Sequence, residues 1–186
     1  MKQVFIIAGP NGSGKTTLAK ELLVQDDIEF VNADEIAREI NPEDVESVRI
    51  KAGKSFLARI RELIKKNKPF MFESTLSGKY SKKLITKLRD AKFRVIIVFV
   101  FVDNPEIAIN RIKVRINNDG HYISDKDVIR RFYRSKNNFW NIYKNMVDEW
   151  ELFYNGEKEF LQVAIGKKEH YTITNEEFFN TFLRNL

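Results

Sequence analysis

Cysteine is absent from the 186 residues, which removes three kinds of chemistry at once: a disulfide framework, a thiolate metal site and a cysteine nucleophile. A reducing compartment is the simplest setting. Glycine and proline are sparse, at 8 and 4, and no Pro/Gly/Ser-rich stretch offers a boundary, so residues 1–186 read as one domain. Long apolar runs are missing too. The N-terminal run from Val4 to Ala8 follows a single lysine and stops at Gly9-Pro10, too short for a signal-peptide core and far too short to span a bilayer. A soluble, cytoplasmic protein with no membrane partner is expected. The sequence has no internal repeat, no low-complexity tract and, despite a net charge of +6, no uninterrupted basic tail. Lysine and arginine are spread along the chain, with a concentration from Arg111 to Arg134. The charge implies an anionic ligand without choosing between nucleic acid, nucleotide and acidic partner; its spread disfavours nucleic acid.

What is present is a layered fold pattern. Short apolar runs alternate with segments of helical period, which argues for an α/β protein whose parallel sheet is covered on both faces. Strands are expected at Gln3 to Ala8, Phe30 to Asn32, Phe70 to Ser74, Phe93 to Val102, Glu151 to Tyr154 and Phe160 to Ile165. Between Glu43 and Asn67, Val45, Val48, Ala52, Phe56, Leu57, Ile60, Leu63 and Ile64 recur at helical spacing and predict one amphipathic helix. Gly53 inside it costs about 1 kcal/mol relative to alanine, so close packing or an approaching ligand must explain it, packing being the better reading. A second long helix should start at the capping sequence Ser124-Asp-Lys-Asp127, with the apolar stripe Ile129, Phe132, Tyr133, Trp140, Tyr143 and Val147.

One motif carries direct chemistry. Gly9-Pro10-Asn11-Gly12-Ser13-Gly14-Lys15-Thr16 fills every required position of the P-loop pattern, between an apolar strand and a helical segment that opens with Thr17. In that setting backbone N–H groups curl round a phosphate at the positive end of a helix. Lys15 would neutralise the β- and γ-phosphates of ATP, and the Thr16 hydroxyl would ligate Mg²⁺. A GTPase is excluded because the lone Asn67-Lys68-Pro69 continues with Phe70, not the guanine-reading aspartate. A transporter ATPase is disfavoured: Lys79-Tyr80 follows Leu76-Ser77-Gly78, and Asn104, not glutamate, follows Asp103.

Three further places look like a phosphotransfer site. Asp34 lies just beyond the second strand, at the edge of an α/β sheet where ligands bind, and its carboxylate could accept the proton of an attacking hydroxyl. Equally open is the reading in which Asn32 caps a helix and Asp34 only favours its positive end. Glu73 ends an apolar strand, where a charge needs a partner or a cation, so it is a candidate for Mg²⁺ or substrate; Ser74 and Thr75 beside it could bond the acceptor. Arg111 and Arg115 share a helix face, and Arg130, Arg131 and Arg134 follow on the next helix after a break at Gly120-His121. Together they make either a lid that closes guanidinium groups onto the phosphate or a solvated basic face. His121 is read as shaping the loop.

Taken together, Ala8 to Thr17, Val31-Asn-Ala-Asp34, Phe72-Glu-Ser-Thr-Leu-Ser-Gly78, Asp119-Gly-His121 and Asp127 to Ser135 resemble, in chain order, the zeta-toxin family of P-loop kinases. Zeta toxins phosphorylate a sugar hydroxyl of UDP-N-acetylglucosamine, and many are held inactive by a small antitoxin. The resemblance implies a P-loop kinase-like three-layer α/β sandwich with a mainly parallel sheet and a helical, arginine-bearing lid. It further implies Lys15 and Thr16 for ATP and Mg²⁺, Asp34 as catalytic base, Glu73 for substrate or magnesium, and the arginines from Arg111 to Arg131 for phosphates. There are departures. Asn118-Asp119 stands where a glycine is expected beside Gly120, and Phe132 replaces what is often an arginine. Phe132 falls on the apolar stripe, which moves phosphate duty to Arg130, Arg131 or Arg134 and leaves the acceptor open. Asn155-Gly156 is read as the loop beside adenine. The rival readings are a nucleic-acid-associated ATPase or polynucleotide kinase, and a nucleotide-binding module without transfer chemistry.

Overall fold

A computed structural model describes residues 2–23, 28–78, 80–116, 124–156, 159–184 and 186. The first strand, β1 (Gln3–Ala8), runs into the glycine-rich turn, and α1 (Lys15–Leu23) runs out of it. Then come β2 (Glu29–Val31), α2 (Ala33–Ile40), α3 (Arg49–Lys65), β3 (Phe70–Ser74), α4 (Tyr80–Asp90), β4 (Arg94–Phe101), α5 (Pro105–Ile116) and α6 (Asp125–Asn141). The chain ends with β5 (Glu149–Asn155), β6 (Phe160–Lys167), β7 (His170–Ile173) and α7 (Glu176–Leu183). Among the described residues seven strands form one sheet, in the order β2-β3-β1-β4-β5-β6-β7. Strands β1 to β5 pair in parallel, whereas β6 and β7 add antiparallel. The P-loop strand thus lies between β3 and β4, and the carboxyl ends of β1 and β3 open on one side.

Alternation along β1 explains the layers. Val4 and Ile6 face the larger core with Phe70, Phe72, Phe99, Phe139 and Trp150, while Ile7 faces a second core with Leu18, Met71 and Val100. Both faces of a parallel sheet are thereby buried. A third cluster, Val102, Ala108, Ile109, Ile112, Val128 and Phe132, joins α5 to α6; Phe132 packs, as its position on the apolar stripe predicts. Further along α6, the Phe139 ring stacks on Phe99 at 4.4 Å and fastens the helix to the sheet.

Two helix boundaries differ from the sequence reading. Helix α3 begins at Arg49, not Glu43, because Asn41 Oδ1 accepts from the amides of Glu43 and Asp44, and Asp44 Oδ1 from that of Ser47. Such side-chain turns compete with helical bonding. Helix α6 ends at Asn141, and Tyr143 belongs to a 3-10 turn (Tyr143–Asn145). Its buried stripe starts on Val128, at 1% exposure, and Ile129 turns outward at 38%. Close packing does not account for Gly53 either: a Cβ there would meet nothing within 4 Å. Strand β7 and helix α7 were not anticipated. Among the described residues no helix is long and apolar enough to cross a membrane.

Candidate active site

The glycine-rich turn is shaped by what crosses it. Gly12 has φ +77°, and a Cβ there would lie 2.4 Å from the carbonyl oxygen of Ala108 on α5. Gly14 has φ +96°, and its Cβ would lie 2.1 Å from Asn155 Nδ2. Only glycine meets both the left-handed backbone and the contact. Gly9, Pro10 and Ser13 are buried beneath the turn, while Asn11, Gly12, Gly14, Lys15, Thr16 and Thr17 line a cleft of about 770 Å³. Lys15 is 9% exposed, and its ammonium donates to the Pro10 carbonyl at 2.8 Å. Asn11 Oδ1 and Ser13 Oγ are buried with no hydrogen-bond partner among the described residues. Buried polar atoms are ordinarily satisfied, so a cradle with two orphaned atoms and a lysine turned onto its own loop suits an anionic phosphate tail.

Across the cleft, Asn32 does two jobs. Its Oδ1 caps α2 by accepting from Asp34 N at 2.8 Å and Glu35 N at 3.4 Å, and its Nδ2 donates to Glu73 Oε1 at 3.1 Å. The cap foreseen at Asn32 therefore coexists with an Asp34 that lines the cleft. Burial pushes the Glu73 carboxyl above its usual range, opposed by the Lys15 charge and a hydrogen bond from Thr16. A carboxylate held partly desolvated beside Thr16 is a fitting place for a divalent cation that keeps most ligands from phosphate and water.

Ser74 and Thr75 also line the cleft. Ser74 Oγ accepts from Leu76 N at 3.1 Å and lies 3.1 Å from Ser81 Oγ. Helix α6 and the 3-10 turn after it hold this segment with three side chains: Ser135 Oγ donates to Thr75 O at 2.5 Å, Asn138 Nδ2 to Leu76 O at 2.7 Å, and, from the turn, Tyr143 OH to Gly78 O at 3.0 Å. The same helix sends Arg131 into the cleft, and α5 sends Arg111. Arg111 lies within 3.5 Å of the Asn155 carbonyl and 3.4 Å of that of Gly156. Arg130 instead pairs with Asp127 on its own helix at 2.7 Å, and Arg134 is exposed and does not line the cleft. The side chain of Arg115, and Asn118 to His121, lie outside the described residues.

The sequence reading missed Arg38 and Arg49, which line the far end of the cleft. The signal for Arg38 was its place one helical turn, about 6 Å, beyond Asp34. Phe160, on the cleft wall beside Asn155 and Gly156, was also missed.

A family model described as an AAA domain matches residues 4–139. An uncharacterised protein of Haemophilus influenzae is 35% identical over 136 residues, 71% of this chain and 92% of that one. A cytidylate kinase of Archaeoglobus fulgidus is 26% identical over 156 residues, 79% and 80% of the two chains. Among solved structures, the AvrRxo1-ORF1:-ORF2 complex with ATP gives a TM-score of 0.71 at 15% identity, covering 98% of this chain, which spans 63% of its counterpart. The PezAT chromosomal toxin-antitoxin system of Streptococcus pneumoniae gives 0.70 at 17% identity, covering 100% and 81%. The fold is thus a kinase-like, nucleotide-binding P-loop fold, and the resemblance to zeta toxins is met in that fold.

Proposed function

We propose, on the premise that this chain belongs to the AAA domain family, that it is a cytoplasmic ATP-dependent kinase passing the γ-phosphoryl group to a hydroxyl of a small acceptor. The observation that carries this reading is the facing of the phosphate cradle by Asp34 and Glu73 across one cleft, with Asn32 bonded to both sides of the acidic pair. An acceptor alcohol beside Asp34 gives its proton to that carboxylate as its oxygen attacks the γ-phosphorus in line. The bond from that phosphorus to the β–γ bridging oxygen breaks, and ADP leaves with the electron pair. Lys15, released from the Pro10 carbonyl, takes the phosphate charge, and Arg111 and Arg131 steady the transferring group. Mg²⁺ would be held by Thr16 and Glu73, and when bound it neutralises phosphate charge. Thr17, Ser74 and Thr75 are assigned to orienting nucleotide and acceptor, and Arg130 and Arg134 to the outer, solvated side.

Incubation with γ-labelled ATP and a metabolite extract tests the reading, with UDP-N-acetylglucosamine as the first pure acceptor to try. A labelled small molecule is expected. Label on an added oligonucleotide instead would favour a polynucleotide kinase, and no transfer at all would leave a binding module. Asp34→Asn should lower transfer by roughly 10²–10⁴-fold with ATP affinity nearly intact; a fully active variant removes Asp34 as base. The toxin-antitoxin likeness also supports a small antitoxin as partner, which a pull-down with the product of a neighbouring reading frame would detect.

A further inference from the structure

One of the residues bonded to the phosphate cradle comes from far along the chain. Asn155, the last residue of β5, donates its Nδ2 to the Ser13 carbonyl at 2.7 Å across 142 positions. The Ser13 carbonyl and the Gly14 N–H belong to one planar trans peptide unit, so they point in opposite directions. Fixing the oxygen outward on Asn155 fixes the N–H the other way, and that N–H donates to no described residue. N–H groups so directed are what a P-loop offers a phosphate.

Two neighbours support the contact. The carboxamide fills the space a Gly14 side chain would need, with the Phe160 ring 3.4 Å from the same point, so turn and carboxamide are fitted to each other. On its other side, the Asn155 and Gly156 carbonyls face the Arg111 guanidinium. The turn after β5 is thereby held between the cradle and a cleft-lining arginine.

We propose that Asn155 is a positioning residue of the phosphate cradle: it holds the Ser13–Gly14 peptide in its phosphate-accepting orientation and acts on the phosphate tail, not on the base. The inference rests on the kinase reading above and adds to it a residue outside the glycine-rich motif and outside the matched segment 4–139.

The test separates tail from base by displacement of a fluorescent ATP analogue, using inorganic tripolyphosphate, which has no base, and adenosine, which has no phosphate. Asn155→Ala is expected to weaken tripolyphosphate roughly tenfold, as loss of a buried hydrogen bond does, while adenosine stays within twofold of wild type. Asn155→Asp keeps the side chain's shape and removes the donor, so it should lose at least as much, and it carries the test should the alanine variant not fold. Equal losses for both ligands would overturn the proposal by making Asn155 a base contact. Unchanged tripolyphosphate affinity in both variants would overturn it alone, whereas a wild-type chain that displaces for neither ATP nor tripolyphosphate sinks the kinase reading along with it.

Discussion

Helix α6 carries Arg131 into the cleft, and five residues further on it buries an amine. Lys136 is 2% exposed; its ammonium donates to the Arg184 carbonyl at 2.9 Å and lies 5.7 and 5.3 Å from the Phe132 and Phe182 ring centres. Burial pushes its pKa down from 10.5 to about 8. For a base whose folded-state value lies below the unfolded one, the unfolded chain holds a proton that the native state lacks throughout pH 8 to 10.5. Stability therefore rises with pH across that window, by about 1.4 kcal/mol per unit and about 3 kcal/mol in all. Lys136→Met keeps the bulk and removes the titration. Near pH 7 the variant escapes the burial penalty but forfeits the Arg184 bond, about 1 kcal/mol, so it should be as stable as wild type or modestly more so. Between pH 8 and pH 10 its advantage should shrink by 2–3 kcal/mol, about the value of the pKa displacement. Urea denaturation of both proteins at half-unit pH steps reads this directly. The Tyr143 hydroxyl, pushed up by burial, is common to both proteins and cancels in the difference. A difference that stays flat from pH 7 to 10 would refute the reasoning, for it would mean that folding does not perturb Lys136.

Other substitutions probe the site and its support. Lys15→Ala should reduce turnover severely, because the ammonium that donates to the Pro10 carbonyl is the group assigned to the phosphate charge; unchanged turnover rejects its role. Glu73→Gln should raise the melting temperature of the nucleotide-free protein, because burial disfavours the carboxylate, and shrink the extra stabilisation given by Mg²⁺ and ATP. Phe139→Ala should cost about 3–5 kcal/mol in denaturation, as its ring is fully buried against Phe99 and Trp150. Gly166→Ala should also destabilise, since a Cβ there falls 2.6 Å from the Trp150 ring.

Local pattern explains why much of the architecture was legible. β1 is a short apolar run closed by Gly9-Pro10, β3 one that ends in Glu73-Ser74, and the P-loop is a contiguous motif whose spacing alone implies the strand–turn–helix found there. β7 carried no such signal: its four residues are all exposed, so His170-Tyr-Thr-Ile173 has no buried face to impose a two-residue period. The false start of α3 has the opposite cause. Val45 and Val48 keep the helical spacing, but the Asn41 and Asp44 side chains occupy the amides that a helix would need.

The site was legible only in part because its parts are joined by polar side chains that cross between elements. Asn32 reaches Glu73 over 41 positions, Ser135 reaches Thr75 over 60, and Asn155 reaches Ser13 over 142. Each bond is specified by one short polar side chain with no periodic partner, so sequence spacing cannot reveal it. Two of them also decide something that motif reading left open. The Asn32 bond makes helix cap and cleft carboxylate compatible at Asp34, where they had been alternatives. The Ser135 bond ties the helix that carries Arg131 to the strand end with Ser74 and Thr75, three residues that line one cleft. The α5–α6 cluster around Phe132 packs the helix whose Arg131 lines the cleft, while Arg130 on the same helix turns to Asp127.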